Sequence, residues 1–120
     1  PQKSLQTKAF EGINETSKIT TIDGIKEGNF DLIVYDNSGK EVARRAINID
    51  NDTIMEDPTN INKNSLINQI NKNVDDNSDN DGSNDVDDYF KATFGDRKIG
   101  IEPLMSGYTI AIEDHGSNFA

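Results

Sequence analysis

The sequence predicts an α+β fold, a mainly antiparallel β-sheet with one amphipathic helix packed on it in the order β-β-α-β-β-β. Three observations carry this. Residues 29–49 hold two β-rich runs, FDLIVYD and EVARRAINI, around Asn37-Ser38-Gly39-Lys40, the pattern of a hairpin whose glycine can take positive φ. The stretch NSLINQINKNV, residues 64–74, places Leu66, Ile67, Ile70 and Val74 on one stripe of a 3.6-residue helix. Between 89 and 114, the runs YFKATF, KIGIEP and YTIAIED are separated by Gly95-Asp96 and Ser106-Gly107 turns.

In the first hairpin strand, alternation sends Phe30, Leu32 and Val34 to one face and Ile33 and Tyr35 to the other. In the second, Ala43, Ile47 and Ile49 share a face. Arg45 has their parity, which places it near an edge or with its head snorkelling to water. Asp50 to Lys63, rich in Asp and Asn and carrying Pro58, is a connection with Ile54 and Met55 as a small apolar plug. Asn64 or Ser65 is placed to cap the helix, whose Asn, Gln and Lys face is expected to meet water. A helix this short is marginal alone, so its stripe must lie on a sheet face containing some of Phe30, Leu32, Val34, Ile47, Ile110 and Ile112. Residues 1–28 form a lead-in of scattered apolar residues, with a strand expected at KITTI, residues 18–22, and a turn at Asp23-Gly24.

At 120 residues, one domain spanning 1–120 is expected. It reads as a piece excised from a longer protein. The net charge of −10 argues against a nucleic-acid or anionic-membrane partner, and no apolar run approaches a bilayer's span. With no cysteine, disulfides and thiolate chemistry are excluded. The segment Asp75 to Asp88 holds seven Asp and no cation, so most of the charge belongs to one loop.

That acidic loop, residues 75–88, contains an approximation of the twelve-residue calcium loop. Oxygen ligands fall at Asn77, Asp79, Asp81, Asp85 and Asp88, with Gly82 at the sharp bend. Departures stand against it: Asn77 at the first position, Asn84 at the eighth, and Asp88 where a bidentate Glu is usual. These favour the plainer reading, a hydrated loop of repelling charges with no cofactor. Asp114-His115-Gly116-Ser117 contains the letters of a catalytic relay, but neighbours in sequence do not normally converge into one. His115 is the only histidine, so a histidine-based metal site is not expected, and an exposed place in the exit turn is. Tyr35, Tyr89 and Tyr108 are expected to pack on the sheet. The chain has neither a glycine-rich phosphate loop nor a Gly-x-Ser-x-Gly elbow, and no enzyme is expected.

Four stretches carry a resemblance: GNFDLIVYDNSGKEVA at 28–43, SLINQINKN at 65–73, NDVDDYFKATF at 84–94 and SGYTIAIED at 106–114. They resemble the flagellar hook-associated protein 1 family of hook–filament junction proteins, over roughly residues 24–120. SLINQINKN is similar to the flagellin hook IN motif, whose Ile-Asn pair falls at Ile70-Asn71. The resemblance implies a surface-exposed outer domain of an extracellular, rod-like axial protein of the bacterial flagellum. It further implies that contacts with other axial subunits lie mostly in helical segments outside this chain, leaving the fragment monomeric. The acidic loop departs from the family's usual short turn. Two readings follow: a non-enzymatic structural domain of that junction, and a calcium-dependent binding module of a cell-surface or secreted protein.

Overall fold

The computed structural model describes residues 5–6, 17–21, 25–57, 59, 64–76, 84–95 and 98–117. Strands β1 (Leu5–Gln6), β4 (Phe90–Gly95) and β5 (Lys98–Pro103) form one antiparallel sheet in the order β1-β5-β4. Strands β2 (Gly28–Tyr35), β3 (Glu41–Ile49) and β6 (Thr109–His115) form a second, in the order β3-β2-β6. Two short helices, α1 (Leu66–Asn71) and α2 (Val86–Tyr89), stand between the hairpin and β4 in the chain. The fold is therefore α+β and mainly antiparallel. The single sheet implied by the sequence is instead two, because periodicity shows which face of a strand is buried but not which strand lies beside it.

The hairpin forms as its residues dictate. Asp36 Oδ1 accepts from the Ser38 and Lys40 amides and from the Ser38 hydroxyl, and Gly39 takes φ 87°. Those donors, the Ser38 hydroxyl foremost, hold the Asp36 carboxyl below the usual carboxylate range. A bulge after Val34 shifts the register, so that Val34 faces Ala43 while Tyr35 faces Glu41. Phe30, Leu32 and Val34 are all fully buried. They join Ile47, Ile49, Leu66, Ile67, Ile70, Met55, Phe90, Ile99 and Ile101 in one cluster fed by both sheets and the helices. Ile112 packs at its margin. The helix stripe thus packs where periodicity placed it, except for Val74, which lies beyond the end of α1 and is only half-buried.

The connection after β3 is more structured than its composition suggests. Ile54 bridges Lys18 on one side and Ser65 on the other, and Met55 is fully buried. The first helical amides of α1 are satisfied from this segment, Leu66 N–H donating to Ile54 O at 2.8 Å and Ile67 N–H to Met55 O at 2.9 Å. Backbone from another segment thereby takes the place of the expected side-chain cap. KITTI does not form a strand: Ile19–Thr21 is a 3-10 turn, with Ile19 N–H bonded to Thr53 O. Ile22 and the Asp23-Gly24 turn lie outside the described residues.

Gly28, at φ 156°, is where β2 meets the exit of β6. A Cβ there would stand 2.8 Å from Gly116 C and Ser117 N, so only glycine allows this approach. The Tyr89 and Tyr108 rings lie 4.4 Å apart at 42°, packing on each other as well as on the core.

Candidate functional site

Helix α1 touches the edge strands of both sheets, β3 and β4, and its polar side chains join them. Gln69 Nε2 donates to Asn48 O and Gln69 Oε1 accepts from Asn48 N–H, each at 2.8 Å. Asn71 does the same to β4, its Nδ2 donating to Ala92 O and its Oδ1 accepting from Ala92 N–H, again at 2.8 Å. A side-chain amide carries the donor and acceptor of a peptide group, so each acts as one residue of an absent neighbouring strand. Asn68 Nδ2 adds a bond to Asp57 O. The Asn and Gln face of the helix is thus a joint, not the water-facing surface the sequence suggests. The physical reason is that two unpaired strand edges lie within reach of it.

Arg45 completes the joint. Its Nε and Nη2 grip Asp76 at 2.9 Å each, Nη2 also reaches Asp87 at 2.7 Å, and Nη1 donates to Ile70 O at 2.6 Å and Gln69 O at 3.3 Å. Five N–H groups thus meet acceptors, two of them carbonyls of the last turn of α1. The Arg45, Asp76 and Asp87 side chains are only 5%, 5% and 11% exposed. Burial opposes the charge, but the hydrogen bonds and proximity of Asp76 and Asp87 outweigh it, holding the guanidinium above its ordinary range. Arg45 does sit on an edge strand, yet it is neither exposed nor snorkelling, because the start and end of the acidic segment close over it. An open cleft beside it is lined by Arg44, Ala46, Lys72, Val74 and Asp75.

Of the five candidate calcium ligands, Asn77, Asp79 and Asp81 lie outside the described residues, and Asp85 and Asp88 are occupied structurally. Asp85 Oδ1 accepts the Asp76 amide at 2.8 Å, and Asp88 Oδ2 accepts the Asp85 amide at 3.1 Å, closing the turn into α2. Asp85 is fully buried and its Oδ2 has no hydrogen-bond partner among the described residues. Burial pushes its carboxyl up, against the pull of the Asp76 amide and with the carboxylates of Asp76, Asp75 and Asp88 adding to the rise. An ionised Asp85 therefore opposes folding. That opposition is absent below the unfolded-state pKa and complete above the raised folded-state value.

A second constellation lies on the outer face of the β3-β2-β6 sheet. Asp31 faces Glu113 across β2 and β6, and His115 follows two residues on. His115 Nε2 stands 3.1 Å from Glu113 Oε1 and 3.3 Å from Asp31 Oδ2. Arg44 Nη1 is 2.7 Å from the same Asp31 oxygen, while its Nε and Nη2 hold Glu41. Those carboxylates raise the Arg44 guanidinium further above its ordinary range. His115 is thus exposed, as expected, but it is the last residue of a strand and not part of the exit turn, and it stands beside two carboxylates. Ser117 Oγ donates to Asp114 Oδ1 at 2.6 Å, not to His115, so the relay letters do not assemble into a relay. The period-two spacing of Glu113 and His115 was a signal for their shared face, but nothing local to them indicated Asp31.

The fold and joint define a two-sheet α+β domain whose polar chemistry is concentrated on holding its parts together. The chain matches no protein-family model, and a comparison with curated proteins likewise finds no match.

Proposed function

We propose that this chain is a structural, non-enzymatic outer domain of an extracellular axial protein at the bacterial hook–filament junction, as the resemblance of its sequence suggests. The observation that supports it is the joint: Ile70 and Asn71, the pair that resembles the IN motif, are a core residue and the amide that holds β4. Such a pair supplies rigidity, the property demanded of a domain carried on a rotating filament. With no cysteine in these 120 residues, Ser106→Cys, at an exposed position between β5 and β6, gives them one labelling site, to be read against the unsubstituted protein. In flagella assembled with the longer protein carrying that change, maleimide-gold is expected in one band between hook and filament. The isolated chain is expected to sediment as a monomer at micromolar concentration. Gold along the whole filament or absent from the flagellum, or a tight dimer, would count against the reading.

The calcium module keeps one observation in its favour, the buried Asp85 Oδ2, unpartnered among the described residues. Calcium bound only to the folded state raises stability by about 2.7 kcal/mol at a hundredfold excess over its dissociation constant. Screening of the acidic loop instead works nearly as well with magnesium or added salt. A small, unselective rise in the melting midpoint is expected. A calcium-specific rise lost in Asp79→Ala would put the module first.

A further inference from the structure

We propose that Asp31, Glu113 and His115 form a site for a divalent first-row metal of the zinc and copper kind, independent of the structural role above. One side-chain atom from each of the three lies within 4.8 Å of the others. The two distances from His115 Nε2, 3.1 and 3.3 Å, correspond to the edges of a coordination polyhedron. Ligands held at about 2.0–2.2 Å from a tetrahedral or octahedral ion are roughly 3.0–3.5 Å apart. Two of the three edges therefore already match, and the third, between the Asp31 and Glu113 oxygens, is at most 4.8 Å. Two come from directly opposed strand residues and the third from the same face of the same strand, so the sheet itself holds the spacing.

Charge points the same way. With His115 neutral, the cluster of Asp31, Glu41, Glu113 and Arg44 carries three negative charges against one positive, a deficit of two that a dication balances. Arg44 already places a cation at these oxygens, 2.7 Å from Asp31 Oδ2 and 3.6 Å from Glu113 Oε1. It is the built-in competitor. Its Nε and Nη2 are bound to Glu41 on its own strand, so it can release Asp31 to an entering ion while keeping that anchor. One imidazole and two carboxylates, completed by water, suit zinc, nickel or copper. Calcium and magnesium favour a shell of oxygens that this cluster does not supply.

The sole histidine makes the test direct, since its imidazole nitrogen signals in an NMR spectrum of the untagged, ¹⁵N-labelled chain need no assignment. Titration with zinc chloride at neutral pH is expected to shift the His115 Nε2 resonance to saturation, and calcium chloride at the same concentration to leave it in place. Asp31→Asn or Glu113→Gln is expected to weaken zinc binding at least tenfold, and Arg44→Gln to tighten it severalfold by removing the competing cation. Removing a cation favours any metal near these carboxylates, so the discriminating readouts are the His115 imidazole shift and its loss in the two carboxylate variants. The proposal is overturned if zinc perturbs only amides of the Asp75 to Asp88 segment and leaves the imidazole unmoved. It is equally overturned if Arg44→Gln weakens binding, or if both carboxylate variants bind as the parent does. Should a variant fail to fold, the imidazole titration of the parent chain decides alone.

Discussion

Replacing Arg45 by methionine is expected to destabilise the protein by about 3–5 kcal/mol, the range seen when one partner of a buried ion pair is removed. Methionine fills much of the space of the arginine stem, so the loss reports on the charge and its hydrogen bonds more than on packing. Asp76 and Asp87 are left with side chains 5% and 11% exposed and no guanidinium between them, and Ile70 O loses its 2.6 Å donor. Against a typical total stability of about 5–15 kcal/mol, such a loss leaves the variant marginal. A urea denaturation midpoint is the measurement, and an unmoved midpoint would refute the clamp. Two comparisons separate burial from charge in general. Arg44→Met removes a half-buried arginine of the same strand, its side chain 38% exposed against 5% for Arg45, and is expected to move the midpoint far less. Adding Asp76→Asn and Asp87→Asn to Arg45→Met is expected to recover part of the loss, because the remaining cost is that of unpaired buried carboxylates.

The second large effect is expected at Ile70→Ala, a loss of about 2–5 kcal/mol from removed contacts and the cavity left behind. Ile70 is 1% exposed and belongs to the cluster that both sheets share. Its backbone carbonyl also receives Arg45, so slackening of the last helical turn propagates to the clamp. Val74→Ala is the informative control. Sequence periodicity ranks Val74 with Ile70, whereas the structure places it beyond the helix and half-buried, so its truncation is expected to cost much less. Equal losses at the two positions, read from chemical denaturation of both variants, would return Val74 to the core.

By itself the sequence determined whatever depends on a residue and its near neighbours. The period of two in FDLIVYD sorts Phe30, Leu32 and Val34 from Ile33 and Tyr35; the first three are in the core, while Ile33, on the other face, is buried as well. Asp36 and Gly39 specify the turn because one supplies acceptors within two to four residues and the other tolerates positive φ. The buried stripe Leu66, Ile67 and Ile70 and the Ile110 face of β6 were legible for the same reason. Tertiary structure alone decided how these pieces meet. Whether the strands make one sheet or two depends on which hydrogen-bonding edges come together, and an edge presents the same backbone groups whatever its sequence. The helix ends at Asn71 despite the apolar Val74, since its last carbonyls meet Arg45 from another strand. Gln69 and Asn71 read as solvent-facing because an amide looks equally at home in water or on a strand edge, and only the arrival of β3 and β4 settles which. The partners of Arg45, and Asp31 beside His115, lie far off in the chain, and such a charge finds its counter-charge through the fold, not through spacing in sequence.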